Sequence, residues 1–272
     1  MFFGVVGSAF EMRVIVCIKQ VPDTTSVRMD PETRTLIREG VPSIVNPFDM
    51  YAIEEGLRLK ERHGGSVTVI TMGPPQAESA LREAISLGVD DAVHLCDAAF
   101  KGSDTLATSY ILSAGIRRLG AFDLVLCGKQ ASDGDTAQVG PGIAVHLDLP
   151  QVVFVRKVVG MKDGVLTVER MMEEGYDVVE VPLPALLTVT KEINEPRLPS
   201  LKGKMRAKKA EIRVMTAAEI GADPARIGLD GSPTWVEKVF TPPQRGAGVI
   251  LQGEPDHLVA RLVEEIEKLK IG

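Results

Sequence analysis

Short apolar runs alternate with longer amphipathic segments over the first 160 residues of the chain. The apolar runs have the length of buried strands and lie at 13–19, 66–72, 91–96, 122–127 and 151–159. The amphipathic segments carry apolar residues at helical spacing and lie at 47–62, 75–87, 103–119 and 137–147. Alternation of this kind predicts an α/β fold, with a doubly wound, mostly parallel sheet covered by helices on both faces.

The apolar period changes to two after residue 159. The segments 163–172, 176–181 and 184–190 alternate apolar with polar residues, which predicts antiparallel strands completing an edge of the sheet. Earlier in the chain, the turn-forming pair Asp30 and Pro31 divides two short extended runs within residues 26–40. We interpret that segment as a hairpin.

The pattern loses its regularity from Lys191 onward. Prolines interrupt the chain, residues 202–209 hold five basic side chains among eight, and residues 210–253 contain few long periodic runs. We predict an α/β nucleotide-binding domain at 13–190, followed by a partner-recognition loop and C-terminal arm at 191–272 that lies on a partner. An amphipathic pattern at 255–270 predicts a closing helix. Residues 1–12 are interpreted as an extension, with Met12 as the natural start.

Composition narrows the possible partners. The chain is 44% hydrophobic and carries a net charge of -6, which makes nucleic acid an unfavourable partner. No apolar run approaches the ~20 residues of a membrane span. The three cysteines, Cys17, Cys96 and Cys127, have no CxxC spacing and lie in apolar runs. They are expected to be reduced, buried thiols in a cytoplasmic protein.

The sequence "GKQASDGDTAQVGP" at 128–141 is the main candidate for chemistry, because it joins a buried strand to a helix. Asp135 or Thr136 could cap a helix beginning near Ala137. The free N–H groups of residues 136–139 would then form an anion site, with Gly134 and Ala137 small enough for a phosphate to approach. Asp133 suits a ribose hydroxyl or a backbone cap better than a phosphate. A capped turn without a ligand remains the alternative.

A second helix start, "NPFD" at 46–49, opens on the same predicted edge of the sheet. Asn46 could cap this helix, with Pro47 at its first position and Asp49 in its first turn. Standard catalytic signatures are absent, and the four histidines share no metal-binding spacing, so no metal site is expected. Either a cofactor supplies the chemistry or the chain performs none.

Six motifs together resemble a known family, the beta subunit of electron transfer flavoprotein. They are "VIVCIKQVPD" in the first strand, "NPFD", "GKQASDGDTAQVGP", "VERMMEEGYDVVEVPLPALLTVT" at 168–190, "NEPRLPSLKGKMRAKK" at 194–209 and "PPQRGAGV" at 242–249. The resemblance extends from Arg13 to Lys270. It implies a sheet of the adenine-nucleotide α-hydrolase type and a heterodimer with a flavin-holding alpha subunit, over which the C-terminal arm reaches.

The resemblance also implies the residues that contact a nucleotide. These are Cys17, Asn46, Pro47, Phe48, Asp49, Met72, Gly128, Lys129, Gln130, Ala131, Ser132, Asp133, Gly134, Asp135, Thr136, Ala137, Gln138 and Val139. Relatives can carry cysteine at position 72, so the methionine here favours a backbone contact. Leu201 matches a leucine that docks into an acyl-CoA dehydrogenase in relatives.

Two branches of the family differ in the ligand of the beta subunit. One holds AMP as a structural ligand, after an acid-rich "DDD" sequence. The other, electron-bifurcating branch holds an FAD that accepts electrons from NADH, and "DGDTAQVGP" is similar to that type. The resemblance therefore implies FAD and delivery of electrons to an acyl-CoA dehydrogenase-type partner and to a low-potential acceptor such as ferredoxin or flavodoxin. The alternatives are an AMP-containing carrier and a nucleotide sensor of the universal stress type.

Overall fold

The computed structural model describes residues 11–23, 28–29, 36–37, 42–237, 248 and 250–268. The chain separates into two compact units, Met1–Val236 and Glu237–Gly272. The first unit contains the sheet and the candidate site. In the second unit, the described helix Pro255–Lys268 is amphipathic and exposed along its length. The boundary predicted at residue 190 stays a prediction.

The described strands are β1 (Met12–Cys17), β2 (Gln20–Pro22), β3 (Arg28–Met29), β4 (Leu36–Ile37), β5 (Ser43–Val45), β6 (Gly65–Met72), β7 (Asp91–Leu95), β8 (Leu124–Gly128), β9 (Gln151–Lys162), β10 (Val165–Met172), β11 (Gly175–Pro182), β12 (Ala185–Val189) and β13 (Arg213–Met215). The described helices are α1 (Pro47–His63), α2 (Glu78–Leu87), α3 (Thr105–Leu119), α4 (Val139–Leu147), α5 (Leu201–Lys209), α6 (Ala217–Ile220) and α7 (Pro255–Lys268).

The main sheet follows the order β11-β10-β9-β12-β8-β1-β6-β7-β13 within the described residues. Pairing is parallel from β9 through to β13, and antiparallel where β10 joins β9 and β11. The α/β class is therefore confirmed. The antiparallel pairing of β3 with β4 agrees with the predicted hairpin, whose turn pair, Asp30 and Pro31, lies outside the described residues.

One strand assignment was wrong. The segment 184–190 was predicted to be antiparallel, yet β12 lies between β8 and β9 and pairs in parallel with both. All five of its residues are buried, because helices and strands cover both faces of a central strand. The continuous run Ala185–Val189 indicates such a strand better than a period of two does.

Alternate residues of the central strands supply two separate cores. Val14 and Val16 of β1 pack with Ile53 and Leu81, on the face covered by α1 and α2. Ile15 and Cys17 point to the opposite face, which is covered by α3 and α4. This alternation is the geometry of a strand buried on both sides. The apolar run of β1 thus holds helices on both faces of the sheet.

Residues 201–227 do not form an extended arm, so that part of the prediction was wrong. Helix α5 packs on α2, and β13 extends the sheet beside β7. Four side chains of this region are buried in the two cores, namely Ala207, Met215, Ile220 and Ile227. Elements of three to nine residues were too short to produce a long periodic pattern. Within the described residues, no helix is long and apolar enough to cross a membrane.

We expect Gly203→Ala to destabilise the protein. A Cβ at Gly203 would collide with the backbone carbonyl oxygen of Ser86, because α5 lies directly on the end of α2. Overpacking of this kind costs about 1–3 kcal/mol, which exceeds the ~1 kcal/mol gained by replacing a helical glycine with alanine. Urea unfolding measures the difference. Gly160→Ala is the matched control, since its Cβ would meet no atom within 4 Å, and equal stabilities of the two variants would contradict the packing described.

Candidate functional site

A cavity of about 420 Å³ lies at the carboxyl ends of β1, β6 and β8. From β1 the chain proceeds outward through β6 to β7, and it then returns to place β8 on the other side of β1. Cys17 of β1 and Cys127 of β8 are paired in register at this reversal, and both line the cavity. Reversals of strand order leave a crevice in which α/β proteins bind ligands.

Most of the residues predicted to contact a nucleotide line this cavity. The lining includes Cys17, Asn46, Asp49, Met72, Gly128, Lys129, Gln130, Ala131, Gly134, Thr136, Ala137, Gln138 and Val139. Five predicted residues are not part of the lining, namely Pro47, Phe48, Ser132, Asp133 and Asp135. The structure thus brings together three segments that are distant in sequence, and the assignment of each residue to a ligand stays a proposal.

Asn46 does not use its side chain to cap α1, although it occupies the position before the helix. Its Nδ2 instead donates to the carbonyl oxygen of Gln130 at 2.8 Å, and its Oδ1 accepts from the backbone N–H of Ser132 at 3.1 Å. The side chain is almost wholly buried. Asn46 therefore fixes the loop after β8 against the start of α1, and the predicted cap was wrong.

The helix after the candidate loop begins later than predicted. Helix α4 starts at Val139, and Gln138 precedes it without a side-chain cap, so capping by Asp135 or Thr136 was wrong. Asp135 and Ala137 have positive φ angles of 55° and 54°, respectively. Such angles are unfavourable for residues with a Cβ and turn the chain sharply before the helix. The Gln130 side chain donates to the Asp135 carboxylate within this turn.

Five consecutive backbone N–H groups at this turn are unpaired. Those of residues 136–140 donate to no protein acceptor within the described part of the chain, and residue 142 is the next to form a bond, to Gln138. All five residues line the cavity. Successive free N–H groups beside a helix N-terminus form an anion-binding concavity. The predicted anion donors are thus present, although the helix begins two residues further on.

Asp49 is a buried carboxyl at the junction of α1, β1 and β8. Its Oδ2 accepts from the backbone N–H of Lys19 at 2.7 Å, and the N–H of Gly128 is a further donor. Burial raises its pKa from the ordinary 3.8 to about 7, against the opposing effect of these hydrogen bonds. Gly128 allows this close approach, because a Cβ there would strike Asp49 and lie 2.6 Å from the carbonyl carbon of Phe48.

The raised pKa of Asp49 predicts a pH dependence of stability. Between about pH 4 and 7 the folded chain retains a proton that the unfolded chain has lost, so the unfolding free energy falls as pH rises. The slope from this residue is at most ~1.4 kcal/mol per pH unit. Urea unfolding at pH 5, 6 and 7 should give a flatter dependence for Asp49→Asn than for the wild type. Parallel dependences would show that Asp49 is ionised throughout.

The three cysteines differ in how deeply they are buried. Cys17 and Cys127 are buried neighbours, whereas Cys96 is half-buried, and all three are free thiols. The hydrogen bond with Cys17 and burial raise the pKa of the Cys127 thiol above its usual range. A thiol in that state is a poor nucleophile. Across the described ranges, no three His, Cys, Asp or Glu side chains come together in a way that could hold a metal ion.

One wall of the cavity was missed by the sequence reasoning. This wall is formed at the start of α3 by Ser103, Asp104, Thr105 and Thr108. Val236, at the end of the first unit, also lines the cavity. Asp104 caps α3 by accepting from the N–H groups of residues 106 and 107. The sequence "SDT" before an apolar helix is a capping signal that could have identified this third helix start.

The segment 228–236 is fixed over the start of α3 by side-chain hydrogen bonds. Asp104 accepts from the N–H and the hydroxyl of Thr234 at 3.1 and 2.7 Å, while Ser232 Oγ accepts from the N–H of Asp104 at 2.8 Å. Burial opposes ionisation of Asp104, but these donors and the helix N–H groups keep its pKa below the usual value. Thr105 also donates to the Gln138 side chain at 2.8 Å, which joins α3 to the candidate loop.

The Asp133 side chain forms an ion pair with Lys19. Its carboxylate lies 2.7 Å from the Lys19 ammonium group, and both side chains are partly exposed. Lys19 itself lines the cavity, although it was not predicted to do so. The ion pair connects the candidate loop to the residues after β1. Asp133 is thus placed to hold the loop, while the predicted ribose contact stays untested.

The fold and this cavity define an α/β protein with a crevice at the reversal of its sheet, lined by residues whose backbone N–H groups are unpaired within the described part of the chain. The profile of the electron transfer flavoprotein domain matches residues 33–220. Over 256 residues, the chain is 53% identical to the electron transfer flavoprotein subunit beta of Thermoanaerobacterium thermosaccharolyticum, covering 94% of this chain and 98% of the relative. The chain belongs to the electron transfer flavoprotein family, as a beta-subunit member.

Two further relatives carry other names. The caffeyl-CoA reductase–Etf complex subunit CarD of Acetobacterium woodii is 48% identical over 260 residues, covering 95% of this chain and 98% of the relative. Protein FixA of Azotobacter vinelandii is 49% identical over 240 residues, covering 86% and 85%. A beta subunit implies an alpha-subunit partner and a role in electron transport. The alternative of a nucleotide sensor is therefore set aside.

Proposed function

We propose that the cavity binds the adenosine diphosphate half of an FAD and that the chain, paired with its alpha subunit, takes part in electron bifurcation from NADH. The observation that carries the proposal is the row of five unpaired N–H groups at residues 136–140, all of which line the cavity at the reversal of the sheet. Such a row suits the paired phosphates of a dinucleotide.

The cavity fits such a group in size and chemistry. Its volume of about 420 Å³ is within the range of ~300–1,000 Å³ typical of small-molecule sites. Its polar groups come from Lys19, Asn46 and Asp49, from the loop after β8 and from the start of α3, whereas Cys17, Met72 and Leu112 supply apolar surface. A phosphate end and an apolar end are what a flavin dinucleotide needs.

In this proposal, different residues of the cavity bind the phosphates, hold the loop and orient the ring system. The N–H groups of residues 136–140 bind the phosphates, and Asn46 holds the loop that presents them. Cys17 and Met72, at the ends of β1 and β6, orient the ring system where NADH can approach. A bound flavin accepts hydride and passes on single electrons without a catalytic side chain of the protein. The protein's part is binding and positioning.

Bifurcation is supported by two points of similarity. The loop sequence "DGDTAQVGP" resembles the FAD-containing branch, and CarD is named as a subunit of a complex with a CoA-dependent reductase. The partners proposed are an acyl-CoA dehydrogenase-type flavoenzyme and a low-potential acceptor, ferredoxin or flavodoxin, in the cytoplasm. The second candidate is a simple carrier with AMP in the cavity, since the N–H row would equally accept one phosphate.

Thermal unfolding of a heterodimer that retains the alpha-subunit flavin and has been freed of its beta-subunit nucleotide tests which nucleotide the cavity prefers. A ligand that binds the folded state alone raises the melting temperature, and at equal concentration the ligand with the lower Kd raises it more. We expect FAD, at equal concentration, to raise Tm more than AMP, and the Asn46→Ala variant to lose most of that difference. A larger shift with AMP would support the second candidate.

A further inference from the structure

A second cavity, which we call the arginine pocket, lies between α3 and α6. Its volume is about 320 Å³, and its lining consists of Tyr110, Ala114, Arg117, Arg118, Ile220 and Gly221. None of these residues lines the cavity at the reversal of the sheet. That cavity reaches Thr105 at the start of α3, and a rise of about 1.5 Å per residue places Arg117 about 18 Å further along the helix. The arginine pocket is therefore a separate site.

Contacts of Tyr110 hold the chain after α6 against α3. The buried Tyr110 hydroxyl accepts from the backbone N–H of Asp223 at 2.9 Å, and the Arg226 guanidinium lies 3.8 Å from the centre of the tyrosine ring. Gly221 ends α6 with a φ angle of 67°, and a Cβ there would lie 2.8 Å from a terminal nitrogen of Arg118. The walls of the pocket are thus formed before any ligand binds.

Three guanidinium groups lie in or beside the pocket without a carboxylate partner. Arg117, Arg118 and Arg226 form no ion pair within the described residues, although the whole chain carries a net charge of -6. Arg117 donates to the carbonyl oxygen of His146, and the other two donate no side-chain hydrogen bond to the described part of the chain. Since a guanidinium has five N–H donors, most of these donors remain available.

Two carboxylates close to α6 in sequence are engaged elsewhere. Glu219 accepts from the backbone N–H and the hydroxyl of Thr216 at 2.7 and 2.8 Å. Asp223 accepts from the backbone N–H of Ala225 at 3.0 Å. Neither carboxylate is the ion-pair partner of an arginine within the described ranges. The positive charge of the pocket is therefore left for an anion from outside the chain.

His146 of α4 lies beside this positive charge. Its ring meets the Tyr110 ring edge-on, with the two centroids 5.8 Å apart. Burial lowers the pKa of His146 below its ordinary value, and the charges of Arg226 and Arg117 lower it further. An anion bound in the pocket would oppose the effect of the two arginines. The histidine ring thus provides a signal for occupancy of the pocket.

The chemistry of the pocket suits a phosphate better than a single carboxylate. A phosphate monoester carries a charge of about -1.5 to -2 at neutral pH, and its oxygens accept paired N–H bonds from a planar guanidinium. Ala114 and Ile220 add apolar surface to the lining. The volume of about 320 Å³ is at the lower end of the range of ~300–1,000 Å³ for small-molecule sites. These properties fit a small ligand with one or two phosphate groups.

We propose that the arginine pocket binds a small phosphate-bearing molecule, with Arg117 and Arg118 on the phosphate and Ile220 against the organic part. Arg226 stays on the Tyr110 ring and contributes charge rather than a direct contact. The site is independent of the proposed function, because it does not require that the other cavity hold a particular nucleotide.

Calorimetric titration of the heterodimer with pyrophosphate tests this site, while the bound nucleotides of the heterodimer keep the other cavity occupied. We expect a Kd below ~1 mM, which a ligand of about nine non-hydrogen atoms can reach. Arg118→Gln raises Kd at least about tenfold through loss of charge-assisted hydrogen bonds, and Arg118→Lys gives a smaller rise because it keeps the charge. Arg62→Gln is the matched control and leaves Kd unchanged, since Arg62 is an exposed arginine of α1, on the opposite face of the sheet.

Nuclear magnetic resonance of the His146 ring, assigned by its loss in His146→Gln, gives a second measurement. Pyrophosphate is expected to raise the pKa of His146 in the wild type, and to raise it less in Arg118→Gln at the same concentration. Absence of pyrophosphate binding, or equal Kd values for the wild type and Arg118→Gln, would overturn the proposal. Binding that leaves the pKa of His146 unchanged, or that Ala137→Leu abolishes and Arg118→Gln does not affect, would place the anion elsewhere and overturn it too.

Discussion

Replacing Ala137 by leucine is expected to expel the nucleotide from the beta subunit while the flavin of the alpha subunit stays bound. Ala137 lines the cavity and carries the second of the five unpaired N–H groups, and its φ angle is 54°. A leucine there would place a four-carbon side chain where a phosphate must approach the backbone. Alanine already bears the ~1–2 kcal/mol that left-handed geometry costs a residue with a Cβ, so the effect of leucine is the steric block of the phosphate.

Nucleotide release from the purified heterodimer measures this effect, with FAD and AMP quantified after denaturation. We expect occupancy of the beta site to fall from about 0.9 or more to below ~0.1, which corresponds to a loss of at least ~2.6 kcal/mol in binding free energy. Ala137→Gly is the matched control, because glycine adopts positive φ without strain and leaves every N–H in place. Full occupancy in the leucine variant would mean that the phosphate site is elsewhere.

Replacing Leu201 by alanine is expected to slow electron delivery to the dehydrogenase partner by about thirtyfold at low partner concentration, the effect of a 2 kcal/mol hot spot. Leu201 is exposed at the start of α5, and Ser200 caps the helix by accepting from the N–H of Gly203 at 2.9 Å. The substitution therefore removes an exposed apolar anchor and leaves the helix intact.

The rate of partner reduction by stopped flow checks this expectation, and flavin content checks that the cavity is unaffected. Val145→Ala is the matched control, since Val145 is a similarly exposed apolar residue on α4. Wild-type rates for Leu201→Ala would exclude docking at α5. A parallel loss of rate and flavin would point to misfolding instead.

Long periodic segments allowed most of the fold to be predicted from sequence. Strand β1 and helix α1 were both placed within two residues, because each carries a long pattern with clear ends. Strand β12 was misassigned because four apolar residues and a threonine fit either a half-buried or a fully buried strand, and tertiary packing decides between them. The short β13 and α6 have too few residues for any period to be detected.

The candidate site could be predicted only in part, because one of its walls depends on contacts between segments that are distant in sequence. Motifs at 46–49 and 128–141 revealed two of its walls, since each joins a strand to a helix. The wall at Asp104 depends on hydrogen bonds with Ser232 and Thr234, about 130 residues away, and sequence alone does not indicate that these segments meet. The left-handed turn at Ala137 was missed too, because alanine does not favour that geometry.

Anaerobic titration of the heterodimer with NADH, after its nucleotides have been counted, tests the central claim most directly. If the cavity at the reversal of the sheet holds FAD, the heterodimer contains two FAD and no AMP, and NADH bleaches the flavin absorbance without an added reductase. A heterodimer that contains one FAD and one AMP, and whose spectrum NADH leaves unchanged, would contradict the account.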